Sequence, residues 1–279
     1  MAEWLLEFDG VSYTYPQTAR PALHNLALKI PSGQRVALIG QNGCGKTTLF
    51  LLANGLYRPQ QGKLLWQSQP FRYNTAALLE LRQQVGLVFQ NPEQQLVAST
   101  VEEDISYGLC NLNLPDAAIA ERVEQTLLQF DLVDLATTPV HHLSLGQKKR
   151  VSLAGVMVLR PKLLLLDEPT AYLDRFHTKQ LMALLQTIHQ AGTTVVMATH
   201  DLDLVYRWAD WVFVMDRGRL VLAGTPETVF DQQAQLEALQ LGVPISFELL
   251  TAMETLLQSP EFQQTGLSIK QLRAKLLGR

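Results

Sequence analysis

Cysteine is nearly absent from this 279-residue chain, which holds only Cys44 and Cys110. Two such isolated thiols make neither a metal-ligand spacing nor a disulfide framework, and they fit a reducing cytosol. An excess of basic residues is missing too. With 23 Lys+Arg against 26 Asp+Glu the net charge is -3, so no positive field draws in nucleic acid. No run approaches the roughly 18 apolar residues that span a bilayer. The most apolar stretch, 155–166, is broken by Arg160, Pro161 and Lys162. The N-terminus lacks a basic segment followed by an apolar one, so no signal peptide is expected, and no internal repeat is found. A soluble cytoplasmic protein is what these absences leave, and 47% hydrophobic residues suffice for one large α/β domain or one domain plus a smaller appendage.

Short β-branched runs alternate with amphipathic helical patterns, which predicts an α/β domain with a largely parallel sheet. Leu5–Tyr15 and Ala22–Ile30 read as antiparallel strands with turn chemistry at Pro16 and Pro31-Ser-Gly33. Arg35–Ile39 and Val85–Phe89 read as strands, and Thr47–Asn54 as a helix. Leu163–Leu166 and Thr194–Ala198 are continuous apolar runs, the mark of central strands covered on both faces. Trp211–Met215 and Leu220–Ala223 form an expected hairpin. Ala117–Phe130 has helical spacing, and 91–160 should be mostly helical. After Thr225 the chain turns polar, and two tail helices are expected, Ser246–Gln258 and Ser268–Leu277, the latter with a Ser268/Gln271 capping box.

Two stretches carry chemistry. Gly40-Gln41-Asn42-Gly43-Cys44-Gly45-Lys46-Thr47 fits G-x-x-x-x-G-K-[ST] between an apolar strand and a helix. Its glycines let successive N–H groups face one anion, and the helix start adds a positive dipole end. Lys46 would reach the β- and γ-phosphates, and the Thr47 hydroxyl would ligate Mg²⁺. Cys44 reads as a small filler, alkylation-sensitive if its thiolate is exposed. Leu163–Leu166 then delivers Asp167 and Glu168 at a strand's carboxyl end, where open α/β sheets bind ligands. Adjacent carboxylates need different jobs: Asp167 anchors the metal, and Glu168 polarises the attacking water.

With Leu143-Ser144-Leu145-Gly146-Gln147 between them, these pieces make residues 3–225 resemble an ABC-transporter ATPase subunit. The resemblance implies a P-loop NTPase with a RecA-like core, an antiparallel β subdomain, an inserted helical subdomain at 91–160, and a helical tail. The domains it implies are an ATPase unit at 1–225 and a C-terminal extension at 226–279 that would serve dimerisation. ATP and Mg²⁺ are the implied ligands. The adenine-stacking aromatic matches Tyr15 better than Tyr13, and Thr48 joins the phosphate loop in holding the nucleotide. Gln90 matches the glutamine that touches Mg²⁺ and the attacking water, and His200 the histidine at the γ-phosphate. Ser144, Gly146 and Gln147 match the signature motif, with Leu145 where the family most often has glycine. Ala171-Tyr-Leu-Asp174 resembles the D-loop, with Tyr172 at a site often filled by a small residue.

Val88-Phe-Gln-Asn-Pro-Glu-Gln-Gln-Leu96, Thr100-Val-Glu-Glu-Asp104, Ser144…Val151 and Leu241-Gly-Val-Pro-Ile-Ser246 narrow the resemblance to ATPases of energy-coupling-factor importers, the cobalt, nickel and vitamin group. That implies two ATPase subunits, most simply a homodimer, on the cytoplasmic face of the cell membrane. They would dock on a transmembrane coupling protein that carries a substrate-binding membrane subunit, with no nucleic acid. Cobalt is the first expectation for cargo, then nickel, then biotin or another vitamin. The rival readings are a soluble ABC ATPase of translation or DNA repair, which usually carries two cassettes, and a non-hydrolysing regulator, against which Glu168 and His200 argue. His141-His142 reads as a solvated loop rather than a metal pair. Lys148-Lys149-Arg150 reads as a solvated or γ-phosphate-adjacent face, and Trp208 and Trp211 as packing at the domain's end. Phe247, Leu250, Met253 and Leu257 form a tail stripe that packs on its own domain or on a second copy.

Overall fold

A computed structural model describes residues 4–112 and 114–258, with the side chains of 254–258 left aside. In chain order its elements are β1 (Trp4–Tyr13), β2 (Leu23–Pro31), β3 (Arg35–Ile39), α1 (Lys46–Ala53), β4 (Gln61–Trp66), β5 (Gln69–Pro70) and α2 (Thr75–Gln84). Then come β6 (Val85–Val88), α3 (Val101–Tyr107), α4 (Asp116–Gln129), α5 (Leu145–Met157), β7 (Leu163–Asp167), α6 (Arg175–Gln190) and β8 (Thr194–Ala198). The chain continues through α7 (Leu202–Trp208), β9 (Trp211–Asp216), β10 (Arg219–Gly224), α8 (Pro226–Phe230), α9 (Gln233–Ala238) and α10 (Ile245–Gln258).

Two sheets organise these elements. A six-stranded sheet has the order β10-β9-β3-β8-β7-β6, parallel except for β10. Every residue of β7 and β8 is buried, which is why both read as unbroken apolar runs. The second sheet is antiparallel, in the order β2-β1-β4-β5. Its inner face shares an apolar core with one face of the large sheet, through Phe8, Ile30, Leu38, Phe50 and Leu165. On the other face Ile39, Val151, Leu164, Leu166 and Phe230 form a second core with the helices.

The expected strands and helices at 35–39, 47–54, 85–89, 117–130, 163–166, 194–198 and the 211–223 hairpin are all present within a residue or two. One boundary differs instructively. β1 ends at Tyr13 rather than Tyr15, so Tyr15 leaves the sheet just before Pro16, which has no N–H to give to a ladder. β4, β5, α2, α6 and α7 have no counterpart in the sequence reading, although α6 buries Leu185 and Ile188 at helical spacing. The candidate helix at 268–277 and Leu257 lie outside the described structure.

The tail packs on its own chain. Phe247 lies against Tyr206 and Phe230 with ring centroids 5.5 and 6.2 Å away. Asp203 Oδ1 accepts from the Ser246 N–H and hydroxyl at 2.9 and 2.7 Å. A buried phenylalanine of this kind contributes about 2–3 kcal/mol. Leu250, the next residue of the stripe, is exposed. His141 and His142 are exposed with rings 4.2 Å apart, as a solvated pair should be. Trp208 is buried near Asp210, whose carboxylate takes Arg35 in a two-pronged ion pair at 2.6 and 3.0 Å. No helix among the described residues is long and apolar enough to cross a membrane.

Candidate functional site

Four parallel strands end on one edge, and each hands a residue to the same cleft. β3 leads into the phosphate loop, β7 ends at Asp167, β8 is followed by His200, and β6 by Gln90. The cleft encloses about 1690 Å³ and is lined by Tyr15, Asn42, Gly43, Gly45–Thr48, Gln90, Asp167, Glu168, Tyr172 and His200, among others. That exceeds the ~300–1,000 Å³ of a ligand pocket in one chain, and fits a site open on one side.

The phosphate loop is locked by contact with its own fold. Gly45 has φ +110°, and a Cβ there would stand 2.7 Å from the Ala22 carbonyl oxygen, so only glycine fits. Lys46 is buried, and its ammonium donates to the Gly40 and Gln41 carbonyls at 2.7 and 3.2 Å. Cys44 is buried, and that burial pushes its thiol above the ordinary value, so it is not the exposed thiolate that alkylation needs. The Gln41 side chain turns away from the cleft. Its amide donates to Leu239 O and Gln240 Oε1 at 2.9 and 3.0 Å, tying the loop to the segment after α9. Only the Gln41 backbone is left for a nucleotide.

Asp167 and Glu168 differ as two neighbouring acids must. The Thr47 hydroxyl donates to Asp167 Oδ2 at 2.6 Å, and burial raises the Asp167 carboxyl above its ordinary value despite that bond. A buried carboxylate so placed is stabilised by a cation beside it. Asp167, the Thr47 hydroxyl and the Gln90 amide are hard oxygen donors of the kind Mg²⁺ takes along with phosphate oxygens, so the donor set fits that ion. Glu168 sits in the left-handed region at φ +46°, with its N–H on the Ala198 carbonyl at 2.9 Å. Its Oε2 lies 2.9 Å from His200 Nδ1. The carboxylate side chain is 10% exposed and the imidazole 75%, so a largely sheltered acid meets a largely open base.

Tyr15 is half-buried in the cleft wall, its hydroxyl 3.1 Å from Thr48 Oγ1 and its ring edge-on to Tyr13 and Tyr57. Tyr13 is buried and stacked on Tyr57, outside the cleft lining.

Ser144, Gly146 and Gln147 do not join this cleft. They start α5 elsewhere on the chain. Ser144 Oγ accepts from the Gln147 N–H at 3.3 Å, and Gln147 Oε1 accepts from the Ser144 N–H at 2.8 Å, a capping box that S-x-x-Q spacing announces. The Gln147 side-chain oxygen is thereby taken up by the helix start. The Ser144 hydroxyl proton and the Gly146 N–H stay available. A Cβ at Gly146 would stand 3.1 Å from His177 Cδ2, a tight contact that the half-exposed imidazole on α6 would have to ease by a small shift. Leu145 is 39% exposed at the first helical position.

The basic run behind the signature is split, with two cations at the surface and one buried. Lys148 pairs with Glu93 at 2.8 Å, and Arg150 with Asp131 at 3.1 Å. Lys149 is buried, its ammonium donating to the Pro169 and Ala171 carbonyls at 2.8 Å each. Three consecutive helical positions point about 100° apart, so one faces inward, and sequence alone does not say which.

Comparison with known proteins agrees with this geometry. The family model described as ABC transporter matches residues 23–171. Over 91% of this chain and 93% of the relative, it is 63% identical to a Nostoc sp. protein named only as an ABC transporter ATP-binding protein. It is 40% identical, over 86% of each chain, to the energy-coupling factor transporter ATP-binding protein EcfA of Methanocaldococcus jannaschii. Among solved structures it is similar to cbiO1 of Clostridium perfringens, titled as part of the ABC transporter complex cbiONQ, at 38% identity and TM-score 0.75 over 89% of this chain and 99% of that one. With the phosphate loop, paired acids and histidine gathered on one sheet edge, the chain belongs to the ABC transporter family of ATP hydrolases, as an ATP-binding subunit of the energy-coupling-factor type.

Proposed function

We propose that two copies of this chain sandwich two ATP molecules, each copy supplying the phosphate loop of one site and the signature stretch of the other. One observation carries the reading: Lys46, Thr47, Asp167, Glu168 and His200 share one cleft, while Ser144 and Gly146 lie outside it at an accessible helix start. In the closed dimer Ser144 O–H and Gly146 N–H donate to the γ-phosphate held by the second copy, where the helix dipole favours an anion. Gln147 supports that contact by fixing the helix start.

Within each site Tyr15 stacks on the base, and the backbone of Gly40–Gly45 with Lys46 and Thr48 holds the phosphates. When bound, Mg²⁺ held by Thr47, Gln90 and Asp167 neutralises phosphate charge. Glu168 takes a proton from the attacking water, and Gln90 orients that water. His200, hydrogen-bonded to Glu168, bears on the γ-phosphate. Positioning and electrostatics supply the rate. Closure depends on the γ-phosphate, so its loss releases the dimer.

The ATPase unit spans 1–225, and its helical part at 91–160 grips a transmembrane coupling protein on the cytoplasmic face of the membrane. Exposed Val97 and Tyr107 within that helical part support such a surface. Residues 226–279 form the extension and serve dimerisation. A substrate-binding membrane subunit completes the importer and chooses the cargo, cobalt first, then nickel, then biotin or another vitamin. A translation or repair ATPase is not favoured, since the similarity runs to transport ATPases. The test is purification from membranes with crosslinking from Asn91–Leu96. A crosslink to a multispanning membrane protein is expected, and co-purification with ribosomes instead would refute the reading.

A further inference from the structure

Lys149 is an ammonium without an acidic hydrogen-bond partner. It is 6% exposed, and backbone carbonyls alone take its protons: Pro169 O and Ala171 O at 2.8 Å, and Glu168 O at 3.5 Å. Its neighbours Lys148 and Arg150 both reach carboxylates at the surface. Burying a charge this way is costly unless the carbonyls it gathers need gathering.

They do. Residues 168–171 form the turn between β7 and the D-loop, and it is strained at both ends. Glu168 has φ +46° and Tyr172 φ +62°, left-handed values that side chains with a Cβ adopt at a cost. Such conformations persist where surrounding structure over-determines them. On the sheet side the Ala198 carbonyl takes the Glu168 N–H. On the opposite side the only cation bonded to the turn's carbonyls, among the described residues, is Lys149.

We propose that Lys149 is the positioning residue of the Glu168 carboxylate. By drawing together the carbonyls of Glu168, Pro169 and Ala171, it holds the left-handed turn that brings the carboxylate beside His200. Because Lys149 sits on the first turns of α5, the helix whose start faces the second copy, it also carries the seating of the signature into the base of its own chain's site. This rests on the reading of Glu168 as the general base.

The experiment uses the full-length chain and compares Lys149→Met, Glu168→Gln and the double variant, measuring phosphate release and ATP affinity separately. Lys149→Met lowers turnover roughly 10- to 100-fold, as a misplaced catalytic group does, with ATP affinity within about twofold because the phosphate loop is untouched. In the Glu168→Gln background it costs nothing further. Lys149→Ala recovers at least about fivefold with ethylammonium, which can donate to the carbonyls, and not with tetramethylammonium, which cannot.

Lys149→Met turnover within twofold of wild type overturns the proposal. So does a loss that adds fully to that of Glu168→Gln, or a parallel loss of ATP affinity without ethylammonium recovery. Failure of the base reading looks different: Glu168→Gln alone would then hydrolyse ATP at the wild-type rate.

Discussion

The phosphate loop and the signature stretch are proposed to hold the same γ-phosphate, yet they are built on opposite plans. The loop is closed on itself and its fold. Gly45 is wedged against Ala22, Lys46 is satisfied by the loop's own carbonyls, and Thr47 is bonded to Asp167. The signature satisfies its helix start with the Ser144–Gln147 capping box and leaves its outer face open, with Leu145 exposed. One half of the site is finished within the chain; the other is an open surface, which we propose a second copy completes. Behind each face, the supports also differ. The loop leans on the segment after α9 through Gln41, and the signature helix leans on the D-loop turn through Lys149.

Substitutions in the two regions should therefore fail differently. The largest effect belongs to the finished half. Glu168→Gln lowers turnover roughly 10²–10⁴-fold while ATP affinity and the ATP-bound dimer persist, checked by phosphate release and gel filtration with ATP. Lys46→Ala loses ATP affinity itself, read by equilibrium dialysis. In the open half, Gly146→Asp abolishes hydrolysis yet binds ATP as the wild type does, because its own phosphate loop is intact.

A smaller effect is titratable. Burial lowers the Lys149 ammonium from its ordinary value to about 8, with the Glu168 carboxylate acting against that shift; Asp131, Arg150 and His177 line the same groove. The folded chain thus loses this proton as pH rises through about 8, while the unfolded chain keeps it up to the ordinary lysine value. Between those values the unfolded state binds more protons, so this group's contribution to stability rises with pH. Turnover moves the opposite way, because the neutral amine has one donor fewer for three carbonyls. The wild-type rate should fall above about pH 8, and Lys149→Met should lack that alkaline limb. Smallest of all, Leu145→Gly keeps hydrolysis within roughly tenfold, about 1.4 kcal/mol, since the side chain only decorates the first helical position.

The same contrast explains what the sequence made legible. The phosphate loop, Asp167, Glu168 and His200 each follow an apolar strand directly, so local grammar placed them on one sheet edge before any coordinates. The early end of β1 leaves Tyr15 in the cleft wall and Tyr13 buried outside it. Of the run expected to form a solvated or γ-phosphate-adjacent face, Lys149 alone departs by turning inward, because the inward direction among three adjacent helical cations depends on which element lies beneath. The side-chain partners of Gln41, Leu239 and Gln240, sit almost two hundred residues away in sequence, so the tie between the loop and the segment after α9 has no local signal. Gly146 matches the signature motif by sequence, and the closeness of His177 on α6 at that position is visible only in the fold. The Ser144–Gln147 capping box had a sequence signal and went unused.

Mixing the two defective chains tests the shared site most directly. Lys46→Ala lacks a working phosphate loop and Gly146→Asp a working signature, so each alone is inactive. Combined in equal amounts they should form mixed dimers with one intact composite site, restoring about a quarter of wild-type hydrolysis if pairing is random. No recovery from a mixture shown to form mixed dimers would contradict a site shared between two copies.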